Sequence, residues 1–131
     1  MKTPHITLAA CLAAATAALA LLATPALAAP KESAKLDAIA KDFVRLTLEA
    51  GEREPGYVDA YYGPEDWAAA AKASPRTREQ LAGDAAVIAD RLDALTGAAG
   101  STPDKVQRLA YLKAHVSAAQ ARLRMLRSEE H

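Results

Sequence analysis

The side chains best suited to binding chemistry are concentrated in residues 56–67, which contain three of the four tyrosines and the only tryptophan. Tyrosine and tryptophan combine a large apolar body with one polar atom, and both are common at binding surfaces. Acidic residues accompany them, and carboxylates beside aromatic faces can bind a sugar, a cation or a peptide amine. The candidate ligand-binding or cleft surface comprises Tyr57, Asp59, Tyr61, Tyr62, Glu65 and Trp67.

This segment also has a purely structural interpretation, in which it is a solvated acidic loop whose tyrosines pack beneath the helices. The neighbouring acids are Glu49, Glu52, Glu54 and Asp66. Their spacing matches no calcium-binding loop, and nothing fixes two carboxylates at a catalytic separation. The residues favour the structural interpretation and leave the binding surface as the alternative.

Motifs for catalysis, metals and cofactors are not found in the sequence. The histidines are His5, His115 and His131, whereas a zinc site needs three or four clustered ligands. There is no G-x-S-x-G nucleophile motif and no glycine-rich phosphate loop after a strand. We therefore predict no catalytic residue, no metal site and no cofactor within this chain.

The first 28 residues have the pattern of a signal peptide. A positive start at Lys2 precedes an apolar run from Ile6 to Leu22, and Ala26-Leu27-Ala28 follows as a small-x-small cleavage site. A membrane anchor is the alternative, but the run reaches only about 17 residues, the lower limit for a spanning helix. We predict a signal peptide at 1–28 and an exported, periplasmic or extracellular domain at 29–131.

Cys11 is the only cysteine, and Leu8-Ala9-Ala10-Cys11 resembles a lipobox. A lipobox ends the apolar run, whereas this run continues past the cysteine, so we do not expect lipoprotein anchoring. Membrane contact is then expected only through the signal peptide before cleavage. The chain contains 16 Lys and Arg against 16 Asp and Glu. This balance lacks the excess of positive charge that indicates nucleic-acid binding.

Apolar periodicity predicts helices throughout the mature chain. The first is expected from Ala34 to Ala50, with Ser33 as its cap and Gly51 as its terminator. A short second helix is expected from Pro64 to Ala73. The third follows Ser74-Pro75, with Thr77 and Gln80 as an alternative capping box.

The third and fourth helices share one pattern, in which apolar residues alternate at spacings of four and three. The two seams are Leu81, Ala85, Ile88, Leu92 and Leu95, then Leu109, Leu112, Val116, Ala119, Leu123 and Leu126. Such seams joined by a short loop predict an antiparallel helical hairpin. Asp84, Asp90 and Asp93 would then lie near Lys105 and Arg108. The predicted fold is a small all-α helical bundle that contains this hairpin.

Large apolar side chains are sparse, and alanine supplies most of the remaining apolar content. Alanine buries few methylene groups, while ordering each residue costs about 1–2 kcal/mol. The alternatives are a modest bundle that folds alone and a bundle that packs against further protein. We expect the latter, so that the helical domain is incomplete by itself.

Val58-Asp59-Ala60-Tyr61-Tyr62-Gly63-Pro64 resembles a segment near the start of a bacterial family of larger, uncharacterised, secreted proteins that are similar to metal-dependent carboxypeptidases. The helix at Leu109–Leu126 is also similar to one near the start of those proteins. The family's metal-binding motif, of the type H-E-G-x-P-G-H-H, lies downstream of the matching region and has no counterpart in this sequence. The resemblance therefore implies a helical N-terminal region and transfers no site residue.

Two functions from different classes follow from these observations. The first is a non-catalytic exported helical module resembling the N-terminal part of a metal-dependent peptidase, as a fragment or a truncated relative. Its partner would be the missing C-terminal catalytic region. The alternative is a stand-alone periplasmic helical interaction protein that binds a second copy of itself. A hydrolase complete in itself is disfavoured because the sequence supplies no ligand set.

Overall fold

The computed structural model describes residues 28–97 and 101–129, and these form four helices and no strand. Helix α1 spans Ala28–Arg53, α2 Glu65–Ala73, α3 Arg78–Ala94 and α4 Pro103–Glu129. The predicted all-α bundle is confirmed. Apart from Ala28, the predicted signal peptide lies outside the described residues. None of the described helices is long and apolar enough to cross a bilayer.

Helix α1 is longer at both ends than its sequence pattern predicts. It begins at Ala28, before the expected cap Ser33, and Pro30 fits because proline is tolerated in a first helical turn. It also continues through Gly51, so the prediction that Gly51 terminates the helix is wrong. The helix ends at Arg53 because Pro55 disfavours helical geometry at the residue before it.

Helices α3 and α4 form the predicted antiparallel hairpin. Thr77 caps α3: its hydroxyl accepts the amide of Gln80 at 3.2 Å, and the side chain of Gln80 accepts the amide of Thr77 at 2.9 Å. Both halves of the alternative capping box are therefore present. The turn after α3 includes Gly97, whose φ of 78° lies in the left-handed region that glycine adopts readily.

The core lies where α3 packs between α1 and α4. The two hairpin seams face each other there, with Leu95 and Leu109 half-buried at its edge. Helix α1 contributes four buried residues, which are Leu36, Ile39, Leu46 and Ala50. Since both seams are buried within one chain, contact with a second copy would require a different surface.

Charges at the hairpin pair differently from the prediction. Arg108 at the start of α4 binds Asp37 of α1 at 2.5 Å rather than an acid of α3. Asp93 binds Lys113 at 2.5 Å, one turn further along α4. The sequence predicted that Arg108 would lie near the acids of α3. In the structure α1 is packed close enough for its Asp37 to bind Arg108 instead.

Helix α2 packs on α1 and on none of the other described helices. Residues 54–64 carry the chain back along α1, so that α2 runs parallel to α1 beside it. Leu48 of α1 and Ala71 of α2 are both buried, although neither belongs to the main core. This separate packing leaves an open groove between α2 and α3, with α1 as its floor.

Candidate functional site

The aromatic loop, residues 54–64, is held against α1 by backbone and side-chain contacts. Its amide at Tyr57 donates to the carbonyl of Glu54 at 3.1 Å, and Gly56 takes a φ of 85° between them. Val58 then packs on Gly51, where a β-carbon would lie 3.1 Å from Cγ2 of Val58. The glycine in α1 therefore allows the loop to approach the helix closely.

Tyr57 belongs to the core rather than to the surface. Its ring is half-buried against the main apolar cluster, and burial raises the pKa of its hydroxyl above the ordinary value. Asp59, two residues later, is exposed. Together they line an open groove of about 620 Å³ between α1 and α4, opposite His115 and Arg122.

Tyr61 and Tyr62 are adjacent in sequence and differ completely in environment. The Tyr61 hydroxyl donates to the carbonyl of Pro64 at 3.2 Å, and its ring lies so close to Gly63 that a β-carbon there would overlap it. Partial loss of hydration, and then the charge of Asp66, raise the pKa of the Tyr61 hydroxyl. Tyr62 is 97% exposed, the most exposed large apolar residue described.

Glu65 and Asp66 occupy the first turn of α2. Both carboxylates are exposed, and their negative charge is favourable at the positive end of the helix dipole. Pro64 immediately before them provides no side-chain cap, so the two acids supply the favourable charge at this helix end. They are well placed to meet a positively charged group outside the loop.

Trp67 lies on the other side of the loop, in the groove between α2 and α3. Two cations of α1 approach its ring: Nζ of Lys41 is 5.1 Å from the ring centre, and the guanidinium carbon of Arg45 is 5.6 Å away. Both distances allow cation–π attraction, worth about 0.5–1 kcal/mol at an exposed site. Trp67 therefore fastens α2 to α1 and does not share a groove with Tyr57.

The groove between α2 and α3 encloses about 500 Å³ and is lined by three acids and three arginines. Asp42, Glu49 and Asp84 are the acids, and Arg45, Arg76 and Arg91 are the bases. Each acid binds an arginine: Arg76 reaches both Glu49 and Asp84, and Arg91 binds Asp42 at 2.6 Å. Because the acids are paired with arginines, the groove has no net charge, and its ion pairs connect the helices that line it rather than forming a charged binding site.

Arg76 is the centre of this network. Its backbone amide and side chain donate three hydrogen bonds to Glu49, of 2.7–2.9 Å. Burial by itself would raise the pKa of Glu49, but these bonds and the charges of Arg76 and Arg45 more than offset it, so the pKa is lowered. Hydrogen bonds and negative charge from Glu49 and Asp84 raise the pKa of Arg76.

Two of the acids near the aromatic segment thus have structural partners elsewhere. Glu49 binds Arg76, and Glu54 binds Arg122 of α4. Glu52 is exposed on the last turn of α1. The exposed residues of the segment that remain are Tyr62 and the acids Asp59, Glu65 and Asp66.

Sequence reasoning missed the contribution of Arg76, Asp84 and the pair Asp42–Arg91. Arg76 and Glu49 are 27 residues apart, and Arg91 and Asp42 are 49 apart, so no local spacing connects them. Within the described residues, no group of three or more His, Cys, Asp or Glu side chains is arranged to hold a metal ion. Comparison with protein-family models, curated proteins and solved structures finds no match for this chain.

Proposed function

We propose that this protein is a non-catalytic, exported helical module that binds another protein through its aromatic loop. The observation that carries this proposal is the 97% exposure of Tyr62 on a loop whose neighbouring residues are fixed. The resemblance of Val58–Pro64 to the start of metal-dependent carboxypeptidase-like proteins supports it. In such a protein, the loop would line or brace the substrate cleft, and its partner would be the catalytic region.

Fixing the loop in advance favours binding because less conformational entropy is lost when the complex forms. Tyr57 and Val58 hold one end against the helices, and the hydrogen bond from Tyr61 to Pro64 holds the other. Tyr62 is therefore presented without a large ordering cost. An exposed tyrosine also offers apolar area and one hydroxyl, which is why tyrosine is enriched among the dominant residues of interfaces.

Charge specifies the kind of surface that this loop would meet. Between residues 55 and 71 the chain contains Asp59, Glu65 and Asp66 but no lysine or arginine. No ion pair joins any of these three carboxylates to a cation among the described residues. The complementary partner is a protein surface with an apolar pocket for Tyr62, surrounded by Lys and Arg.

A photo-crosslinking amino acid in place of Tyr62 tests this proposal in the cells that make the protein. We expect one protein adduct at Tyr62, and none when the same group replaces Ala69, an exposed residue of α2. The triple variant Asp59→Asn, Glu65→Gln and Asp66→Asn should lose the adduct, since the charges that attract the partner are gone. Equal adducts at both positions, or an adduct that the triple variant retains, would contradict the proposal.

The non-catalytic part is tested separately with the purified protein and a panel of peptide substrates. We expect no hydrolysis above that of a heat-unfolded sample. Hydrolysis that survives a chelator and co-purifies with the folded protein would overturn this part.

A second candidate, a stand-alone periplasmic interaction protein that forms a dimer, is favoured by the exposed apolar side chains on α4.

A further inference from the structure

The groove between α2 and α3 stays open because α2 packs on α1 and on none of the other described helices. Its volume of about 500 Å³ lies within the range of roughly 300–1,000 Å³ that is usual for small-molecule sites. Residues of α1, α2 and α3 all line it. A small molecule in this groove would therefore contact three helices at once.

Apolar side chains line the groove on every side. Leu46 of α1 and Ile88 of α3 contribute to the lining and are themselves buried. Trp67 and Ala70 line the α2 wall, and Val87 lines the α3 wall with 55% of its surface exposed. An apolar molecule between these two walls would remove exposed apolar surface from water, which is favourable.

The ion pairs of the groove involve only two of its three arginines. Arg76 and Arg91 bind the three acids. Arg45 is the third arginine, and no ion pair joins it to a carboxylate among the described residues. The same is true of Lys41, one turn earlier on α1. Both side chains approach the ring of Trp67, so the two cations lie at the same end of the groove.

The nearby acids do not neutralise these two cations. Asp42 lies between Lys41 and Arg45 in the sequence, but it binds an arginine of α3. Asp66 is exposed on the first turn of α2 and forms no ion pair with either cation in the described part of the chain. Because like charges repel, an anion held between the two cations would be stabilised by both.

We infer that this groove binds a small organic acid, whose carboxylate lies between Lys41 and Arg45 and whose apolar body lies between the α2 and α3 walls. The guanidinium of Arg45 can donate two parallel hydrogen bonds to one carboxylate, and Lys41 adds a point charge. The apolar body then covers the exposed surface of Trp67 and Val87. This site is separate from Tyr62, so it goes beyond the interaction proposed for the loop.

An NMR titration of the purified protein tests the inference with two probe acids, 4-phenylbutanoate and octanoate, which distinguish an aromatic from an alkyl body. Trp67 is the only tryptophan, so its indole N–H signal reports on this groove. We expect a saturable shift with a Kd on the order of 100 µM, as for a small ligand in an open site. The neutral alcohol 4-phenylbutanol should bind about tenfold more weakly or worse, since it lacks the charge. An alcohol that binds as tightly as the acid, or no saturable shift with either acid, would overturn the inference.

Two neighbouring alanines of α2 test the position of the site. Both are exposed, but Ala70 lines the groove and Ala69 does not. Leucine favours helix, so both leucine variants should fold. Ala70→Leu should occupy the groove and weaken binding by about tenfold or more, whereas Ala69→Leu should leave the Kd unchanged. Equal binding by the two variants would place the acid elsewhere and refute the inference.

Arg45→Gln tests the charge of the site, and Arg124→Gln on α4 is its matched control. Both arginines are exposed, and neither is ion-paired within the described residues. Only Arg45 lines this groove. We expect Arg45→Gln to weaken binding of the acid by about tenfold and Arg124→Gln to leave it unchanged. If Arg45→Gln binds the acid as tightly as the wild-type protein does, the inference is wrong.

Discussion

Arg76 and Glu49 form a two-pronged ion pair, with Nε–Oε2 and Nη2–Oε1 distances of 2.7 Å each. Glu49 lies on α1, whereas Arg76 lies in the short connection between α2 and α3. The guanidinium of Arg76 also binds Asp84 of α3. One side chain therefore joins three parts of the fold at the closed end of the groove between α2 and α3.

We expect Arg76→Lys to lower the free energy of unfolding by about 1–3 kcal/mol. Lysine keeps the charge but cannot make two parallel hydrogen bonds to one carboxylate. Arg91→Lys is the control, because its pair with Asp42 is 40–45% exposed and contributes less than about 1 kcal/mol. Chemical denaturation of both variants measures the difference, and equal losses would show that the paired geometry at Arg76 adds nothing.

Glu49 should make the protein sensitive to acid. Its pKa in the folded protein lies below the ordinary 4.5, so its stabilising contribution is complete above that value and is lost as the pH falls through the lower, folded pKa. Urea denaturation at a series of pH values between neutrality and about pH 3 measures this loss. Glu49→Gln should be less stable at neutral pH and should show a smaller further decline in acid. If Glu49→Gln loses as much stability in acid as the wild-type protein does, the acid sensitivity comes from other carboxylates.

Gly63→Ala should release Tyr61 with little effect on stability. The new β-carbon would overlap the Tyr61 ring, which can swing outward because it is the end of a movable side chain. The hydrogen bond to Pro64 would be lost, and the raised pKa of the Tyr61 hydroxyl should fall towards 10.0. Titration of the tyrosine NMR signals, assigned with Tyr61→Phe, follows this change. A retained high pKa would mean that the Tyr61 hydroxyl keeps its partly dehydrated position near Asp66 without Gly63.

Leu92→Ala should be among the most damaging core substitutions, with a loss of about 2–5 kcal/mol. Leu92 is fully buried where α3 packs between α1 and α4. Val87 lies on the same helix but is 55% exposed, so Val87→Ala should change the free energy of unfolding by less than about 0.5 kcal/mol. Thermal or chemical unfolding of the two variants compares these positions. Similar losses at both would indicate that Val87 is covered in solution.

Local spacing was sufficient to predict the hairpin, and it gave the start of α3 as one of two alternatives. The buried residues of α3 and α4 recur every three or four positions, and the capping box of Thr77 and Gln80 spans a single turn. Such features depend on residues that are neighbours in the chain, and the helix itself brings them together. The prediction that Gly51 ends α1 was wrong because the role of this glycine depends on Val58, which approaches from outside the helix.

The sequence by itself determined that the chain folds as helices with one apolar hairpin, because helical periodicity is a property of adjacent turns. Only the tertiary structure decided which aromatic side chains are buried and which are exposed. Tyr57 packs on the core, Trp67 lies beneath two cations and Tyr62 is exposed. It alone joined Glu49 to Arg76, 27 residues away. Burial and long-range pairing depend on how helices approach one another, and no local pattern encodes that approach.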